Sequence, residues 1–121
     1  MVVRVVVVDD VPSIRDLLQV NCDVSDHLDI VGAARDGHEA VALAERLQPD
    51  VIVLDNALPD LDGIDAIPLI RAVAPRARVV MFSGMDGVAE LALAAGADAF
   101  LAKCRPLDEL LALLGERPAV A

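Results

Sequence analysis

Five polar residues could do chemistry together: Asp9, Asp10, Asp55, Ser83 and Lys103. Each comes at the end of a short apolar run, and Lys103 is the single lysine beside nine arginines. An ammonium is a compact point charge and a guanidinium a planar fork, so a site that needs the first is poorly served by the second. Two carboxylates about 5 Å apart repel by roughly 3 kcal/mol at an effective dielectric near 20. Three brought together need a cation, or some must protonate. A hard divalent ion resolves the repulsion, Mg²⁺ for preference, because it takes oxygen ligands, keeps several waters and retains affinity for phosphate oxygens. With an ammonium and a hydroxyl added, the set is complementary to a phosphoryl group in transfer. No Ser–His or Cys–His pair is placed to act as nucleophile and base. The nucleophile left is a carboxylate, which would form an aspartyl phosphate. Asp55 is the best candidate, since it stands alone, while Asp9 and Asp10 are better suited to hold metal. Any one of these aspartates could be a turn former or helix cap; the coincidence of all five residues points to a site.

That coincidence requires elements that deliver the five residues to one place. The apolar runs 3–8, 30–34, 51–54, 78–82 and 99–102 read as strands buried on both faces, as in a parallel sheet. Between them lie stripes of helical period: Ile14, Leu17 and Leu18; Ala40, Leu43, Ala44 and Leu47; Ile64, Ile67 and Ile70; Val88, Leu91, Ala92 and Ala95; Leu107, Leu110, Leu111 and Leu114. Gly37, Pro49, Gly63, Pro75, Gly87, Gly96 and Pro106 punctuate the units, and Pro12 sits at the tolerated first turn of the first helix. Five βα units predict a single doubly wound α/β domain with right-handed crossovers, in which ligands lie outside the carboxyl ends of the strands. Two features fit less well. Pro68 falls inside the third helix and predicts a late start or a kink. The fourth helix is short and Ala-rich, so it is expected to bury little.

Composition narrows the classes. The chain has 121 residues, 56% of them hydrophobic, which fits one domain and excludes intrinsic disorder. Its formal charge of −10 argues against direct nucleic-acid binding. No apolar run approaches the ~18 residues of a membrane span, and the opening valines, followed by Asp9 and Asp10, are too few for a signal peptide. Cys22 and Cys104 lie far apart, so neither a disulfide framework nor a zinc site is expected, and a reducing cytoplasm is the default location.

The segments VVVVDDVPSIR, VIVLDNALPDLDGID, VVMFSG and AGADAFLAK, with the spacing between them, resemble the receiver domain of bacterial two-component response regulators. The resemblance covers essentially the whole chain. It implies a flavodoxin-like (βα)5 domain over residues 1–116 with strand order 2-1-3-4-5, and a tail or linker start at 117–121. It implies that Asp55 takes a phosphoryl group from a phosphohistidine on a sensor histidine kinase or phosphotransfer protein. Asp10, Asp55 and the backbone carbonyl of Ala57 would hold Mg²⁺ directly and Asp9 mainly through water. Lys103 would pair with the phosphoryl oxygens, and Ser83 and Phe100 would occupy the two switch positions. Ser83 would move to the phosphoryl group, and the Phe100 ring would turn into the space it leaves. The surface of helix 4, strand 5 and helix 5 would then change, biasing an existing equilibrium and offering a possible homodimer face.

Several residues depart from the family pattern. Cys104 stands where the family often has a proline with a cis peptide, so a trans bond is expected; a redox role for this thiol is a second reading beside that of a tolerated small residue. Asn56 reads as a turn residue. In the family the positions of Ala57 and Met85 modulate the phosphoryl lifetime; the small Ala57 should leave a path for attacking water, so turnover is not expected to be unusually slow. His27 and His38 are expected at the surface or at a helix start, away from the crevice. The function beyond phosphorylation stays open between a stand-alone receiver and the regulatory fragment of a longer DNA-binding transcription factor. A Mg²⁺-dependent phosphohydrolase with an Asp nucleophile is the alternative of another class, but it would normally carry a second Asp two residues after the nucleophile, where this chain has Ala57. A receiver-like binding module that works without phosphorylation would have no need of so costly a charge cluster.

Overall fold

A computed structural model describes residues 2–84 and 87–115. Among these, five strands alternate with five helices: β1 (Val3–Val8), α1 (Pro12–Asp23), β2 (Leu28–Ala34), α2 (Gly37–Leu47), β3 (Val51–Leu54), α3 (Gly63–Val73), β4 (Arg78–Ser83), α4 (Ala89–Ala94), β5 (Ala99–Ala102) and α5 (Leu107–Gly115). The strands form one sheet in the order β2-β1-β3-β4-β5, and every pairing is parallel. The register shifts once, between Val5 and Val6 of β1 against β2. The architecture is the doubly wound one that the alternation of segments predicts, with the flavodoxin-like strand order that the resemblance implies. Met85 and the tail at 117–121 lie outside the described residues.

Unbroken valine runs make sense here because successive side chains point to opposite faces and both faces are covered. Val3, Val5 and Val7 pack with Leu18 and Cys22 of α1 and with Leu110 and Leu114 of α5. Val6 and Val8 face the other way, into the cluster that also holds Ala40 and Ala44 of α2, Ile67 and Ile70 of α3, and Ala92 of α4. Cys22 and Cys104 are free thiols, the first buried and the second exposed.

Two expectations need adjustment. α3 does not start late at Pro68: it begins at Gly63 and continues to Val73 with Pro68 inside it. Pro68 is exposed, so water can take the place of the hydrogen bond that the ring removes. Ser83 is the last residue of β4 rather than the first beyond it, and the backbone N–H of Lys103 donates to its carbonyl at 3.0 Å. The short α4 does bury little, with Ala92 as its one buried residue.

Two arginines tie the layers together, one from α3 to the turns before β4 and β5 and one from β4 to α5. Arg71 of α3 donates to the carbonyls of Ala77 (2.5 Å) and Gly96 (2.6 Å) and pairs with Asp98 at 2.6 Å. Arg78, the first residue of β4, donates to the carbonyls of Leu113 (3.0 Å) and Leu114 (2.8 Å) at the end of α5. These are acceptors that a helix terminus otherwise leaves without partners.

Candidate functional site

β1, β3, β4 and β5 all end on one edge of the sheet, and β1 and β3 are neighbours at its centre. Asp9 follows β1 directly. Its N–H continues the ladder to the carbonyl of Ala34 at 3.1 Å. The residue is 2% exposed, and one side-chain oxygen accepts from the N–H of Val11 at 2.9 Å, just before Pro12 opens α1. Arg15, one turn into α1, donates to the Asp9 carbonyl at 2.6 Å and sets a positive charge behind the acidic turn. Asp10, next in sequence, is exposed. Asp55 follows β3, with its N–H bonded to the Val8 carbonyl at 3.0 Å and only 3% of the residue exposed.

These placements bring one carboxylate oxygen from each of Asp9, Asp10 and Asp55 within 4.8 Å of one another. Lys103 reaches in from the end of β5. Its Nζ lies 2.8 Å from Asp9 Oδ2 and donates to Asp55 Oδ2 at 3.0 Å. Burial pushes the Asp55 carboxyl up; the Lys103 ammonium pulls it back, the Asp9 charge adds to the upward push, and the outcome is a value above the ordinary one. For Lys103, burial works against the charge, but hydrogen bonds and attraction from Asp9 and Asp55 outweigh it and hold the amine above its usual value. The site therefore keeps a protonated amine between two carboxylates.

The donor set fits a hard cation: all of its atoms are oxygens, and two of the three carboxylates are buried. One oxygen from each carboxylate lies within 4.8 Å of the others, close enough for all three to share an ion.

Ser83 is fully buried at the end of β4, and Phe100 lies half-buried on the neighbouring β5, opposite Met81 in the register. Phe100 packs on the core face shared with α2, α3 and α4. Ala57 is exposed, and its N–H points to Asp55 Oδ1 at 3.4 Å. No peptide among the described residues is cis, so Lys103 and Cys104 are joined by a trans bond.

Two residues have larger parts than the sequence reading gave them. Asn56 is buried rather than a plain turn residue: its Oδ1 accepts from the N–H of Ile64 at 3.0 Å, and its carbonyl accepts from Leu58 (3.0 Å) and Gly63 (2.9 Å). It caps α3 from outside, where Asp62 at the N-cap position supplies no side-chain bond. Asp60, not singled out at all, accepts from the N–H groups of Gly37 (2.7 Å) and His38 (3.0 Å) and touches the His38 ring at Nδ1. An asparagine buried at this position and an aspartate five residues after the candidate nucleophile were the available signals. Neither indicates its partner.

Comparison with known proteins gives a consistent family match. Residues 5–115 match the model of the response regulator receiver domain. The chain is 39% identical over 126 aligned residues to protein-glutamate methylesterase/protein-glutamine glutaminase 2 of Photobacterium profundum, covering 97% of this chain and 32% of that protein. It thus spans about a third of the length of that curated relative. Among solved structures, the response regulator domain of Thermotoga maritima CheB superposes with a TM-score of 0.83 at 35% identity, covering 98% of this chain and 100% of that one. A LuxR-family response regulator from Aurantimonas superposes with a TM-score of 0.88 at 31% identity, covering 97% and 88%.

Proposed function

Because the chain belongs to the response regulator receiver domain family, we propose that it is a phosphorylation-controlled switch with Asp55 as the phosphoacceptor. A carboxylate oxygen of Asp55 attacks the phosphorus of a phosphohistidine on a sensor histidine kinase or phosphotransfer protein. The P–N bond breaks, the imidazole keeps the electron pair, and an acyl phosphate forms on Asp55. The observation that carries this reading is the position of Lys103 Nζ, 2.8 Å from Asp9 and 3.0 Å from Asp55, inside a cluster of three carboxylates. Lys103 offsets their charge before transfer and pairs with the new oxygens after it. Asp9, Asp10, Asp55 and the Ala57 carbonyl would hold Mg²⁺, which when bound offsets charge on the transferring oxygens.

Ser83 then hydrogen-bonds the phosphoryl group and Phe100 turns inward, which changes the surface of α4, β5 and α5 that a partner, an output domain or a second copy reads. The reading places the protein in the cytoplasm; no described helix is long and apolar enough to cross a membrane. What the switch controls has two candidate classes. Likeness to a methylesterase over 97% of the chain favours a chemotaxis-type enzymatic output, and likeness to a LuxR-family regulator favours transcriptional control. Intact-mass measurement after incubation with Mg²⁺ and acetyl phosphate tests the core claim. Gain of one phosphoryl group, lost in Asp55→Asn and in EDTA, is expected; an unchanged mass, or a gain that persists in Asp55→Asn, overturns it.

A further inference from the structure

Residues 57–62 join the candidate phosphoacceptor to α3, and they are held from two sides. Asn56 closes the base, since its carbonyl and its side chain together take the N–H groups of Leu58, Gly63 and Ile64. The far side rests on the start of α2. Asp60 accepts from the N–H groups of Gly37 and His38 and touches the His38 ring. α2 approaches so closely there that a Cβ on Gly37 would lie 2.8 Å from both the Cβ and the carbonyl oxygen of Leu61. Asp36, the N-cap of α2, meanwhile accepts from Glu39 at 2.8 Å, so Asp60 serves N–H groups that the local cap does not reach. Partial desolvation works to raise the Asp60 carboxyl, but the N–H donors of His38 and Gly37 and the His38 ring bring it well below the usual carboxylate range.

We propose that Asp60 is a positioning residue for divalent-cation binding: its bonds to the start of α2 fix the loop that presents the Ala57 carbonyl. The mechanical link is short. Leu58 is buried in the core, Pro59 has its φ angle locked by its ring, and Asp60 comes next. With Leu58 and Asp60 both anchored, the exposed Ala57 between Asn56 and Leu58 has little freedom to turn its carbonyl away. His38 supports Asp60 through its ring. The inference rests on the metal-dependent reading of the site given above.

The test measures Mg²⁺ affinity by titration calorimetry in the wild-type chain, Asp60→Ala, Asp60→Asn and Asp36→Ala. Phosphorylation rate is followed against Mg²⁺ concentration, and amide exchange is read at Gly37 and His38. Asp60→Ala is expected to weaken Mg²⁺ binding roughly tenfold, as loss of an outer-shell partner does. Its rate at saturating Mg²⁺ should stay within about twofold of wild type, the pattern of lost binding rather than lost chemistry. Exchange at Gly37 and His38 should quicken. Asp60→Asn, which keeps one acceptor oxygen, should fall between and covers the case in which the alanine variant fails to fold. Asp36→Ala removes a cap from the same helix without touching the loop; it should lower Tm and leave Mg²⁺ affinity unchanged. Wild-type affinity in both Asp60 variants, or an equal loss in Asp36→Ala, overturns the proposal. Failure of the wild-type chain to bind Mg²⁺ overturns the metal-dependent reading and this inference with it.

Discussion

A Cβ placed on Gly63 would lie 2.3 Å from the carbonyl oxygen of Asp55, so α3 begins in direct contact with the backbone of the candidate phosphoacceptor. The obstructing atoms are main chain and cannot swing aside. Gly63→Ala is therefore expected to cost about 2 kcal/mol, a typical overpacking penalty, and to lower Tm by roughly 10 °C. Thermal unfolding measures it directly. A variant as stable as wild type would mean that the β3–α3 junction yields freely, against the contact described here.

Lys103 is the one cation that pairs with both the Asp9 and the Asp55 carboxylates among the described residues. Lys103→Ala leaves the two carboxylates facing each other. Breaking a buried pair costs about 3–5 kcal/mol, and a cost near 2 kcal/mol is expected here because the side chain keeps 23% exposure. Added Mg²⁺ should raise the Tm of the variant more than that of wild type, since the ion takes over the charge that the amine supplied. The variant should still bind metal but switch poorly. Equal Tm gains in the two proteins would count against a shared role for amine and ion.

Burial and the Asp9 charge hold the Asp55 carboxyl above its ordinary value despite Lys103. The folded protein thus binds this proton more tightly than the unfolded chain does. The resulting stability is fully present below the unfolded value of about 4 and is lost as pH rises through the folded value. Without divalent ions, Asp55→Asn should therefore be more stable than wild type at neutral pH, by a margin that shrinks as pH falls toward 4. Paired denaturation curves across that range decide the matter, and a variant less stable at neutral pH would refute it.

Ala57 is small and exposed beside Asp55, with its N–H turned toward Asp55 Oδ1. Water has an open approach to a phosphoryl group placed there, whereas a long side chain would obstruct it. The phosphoryl group should survive no longer in the wild-type chain than in Ala57→Arg. Decay of the phosphorylated mass with time measures both lifetimes; a far longer one in wild type would reverse the argument.

The strands were legible because each is a short apolar run covered on both faces, and the polar cluster because its members share one sheet edge. Which valine faces which helices was not legible, since an unbroken run carries no alternation to read. Nor were the bonds of Asn56 to Ile64 and of Asp60 to Gly37 and His38. They join segments 8 to 23 positions apart and leave no periodic trace in the chain. Pro68 misled for a related reason: a proline predicts a lost hydrogen bond, but whether the helix tolerates it depends on which side meets solvent.

The grip of Arg78 on the last carbonyls of α5 has one more implication. β4 carries that arginine at its first residue and Ser83 at its last, about 17 Å away at ~3.3 Å per residue. The strand thereby joins the two: a shift at its serine end would be carried to the Leu113 and Leu114 carbonyls of α5, on the opposite pole of the molecule from the acidic cluster.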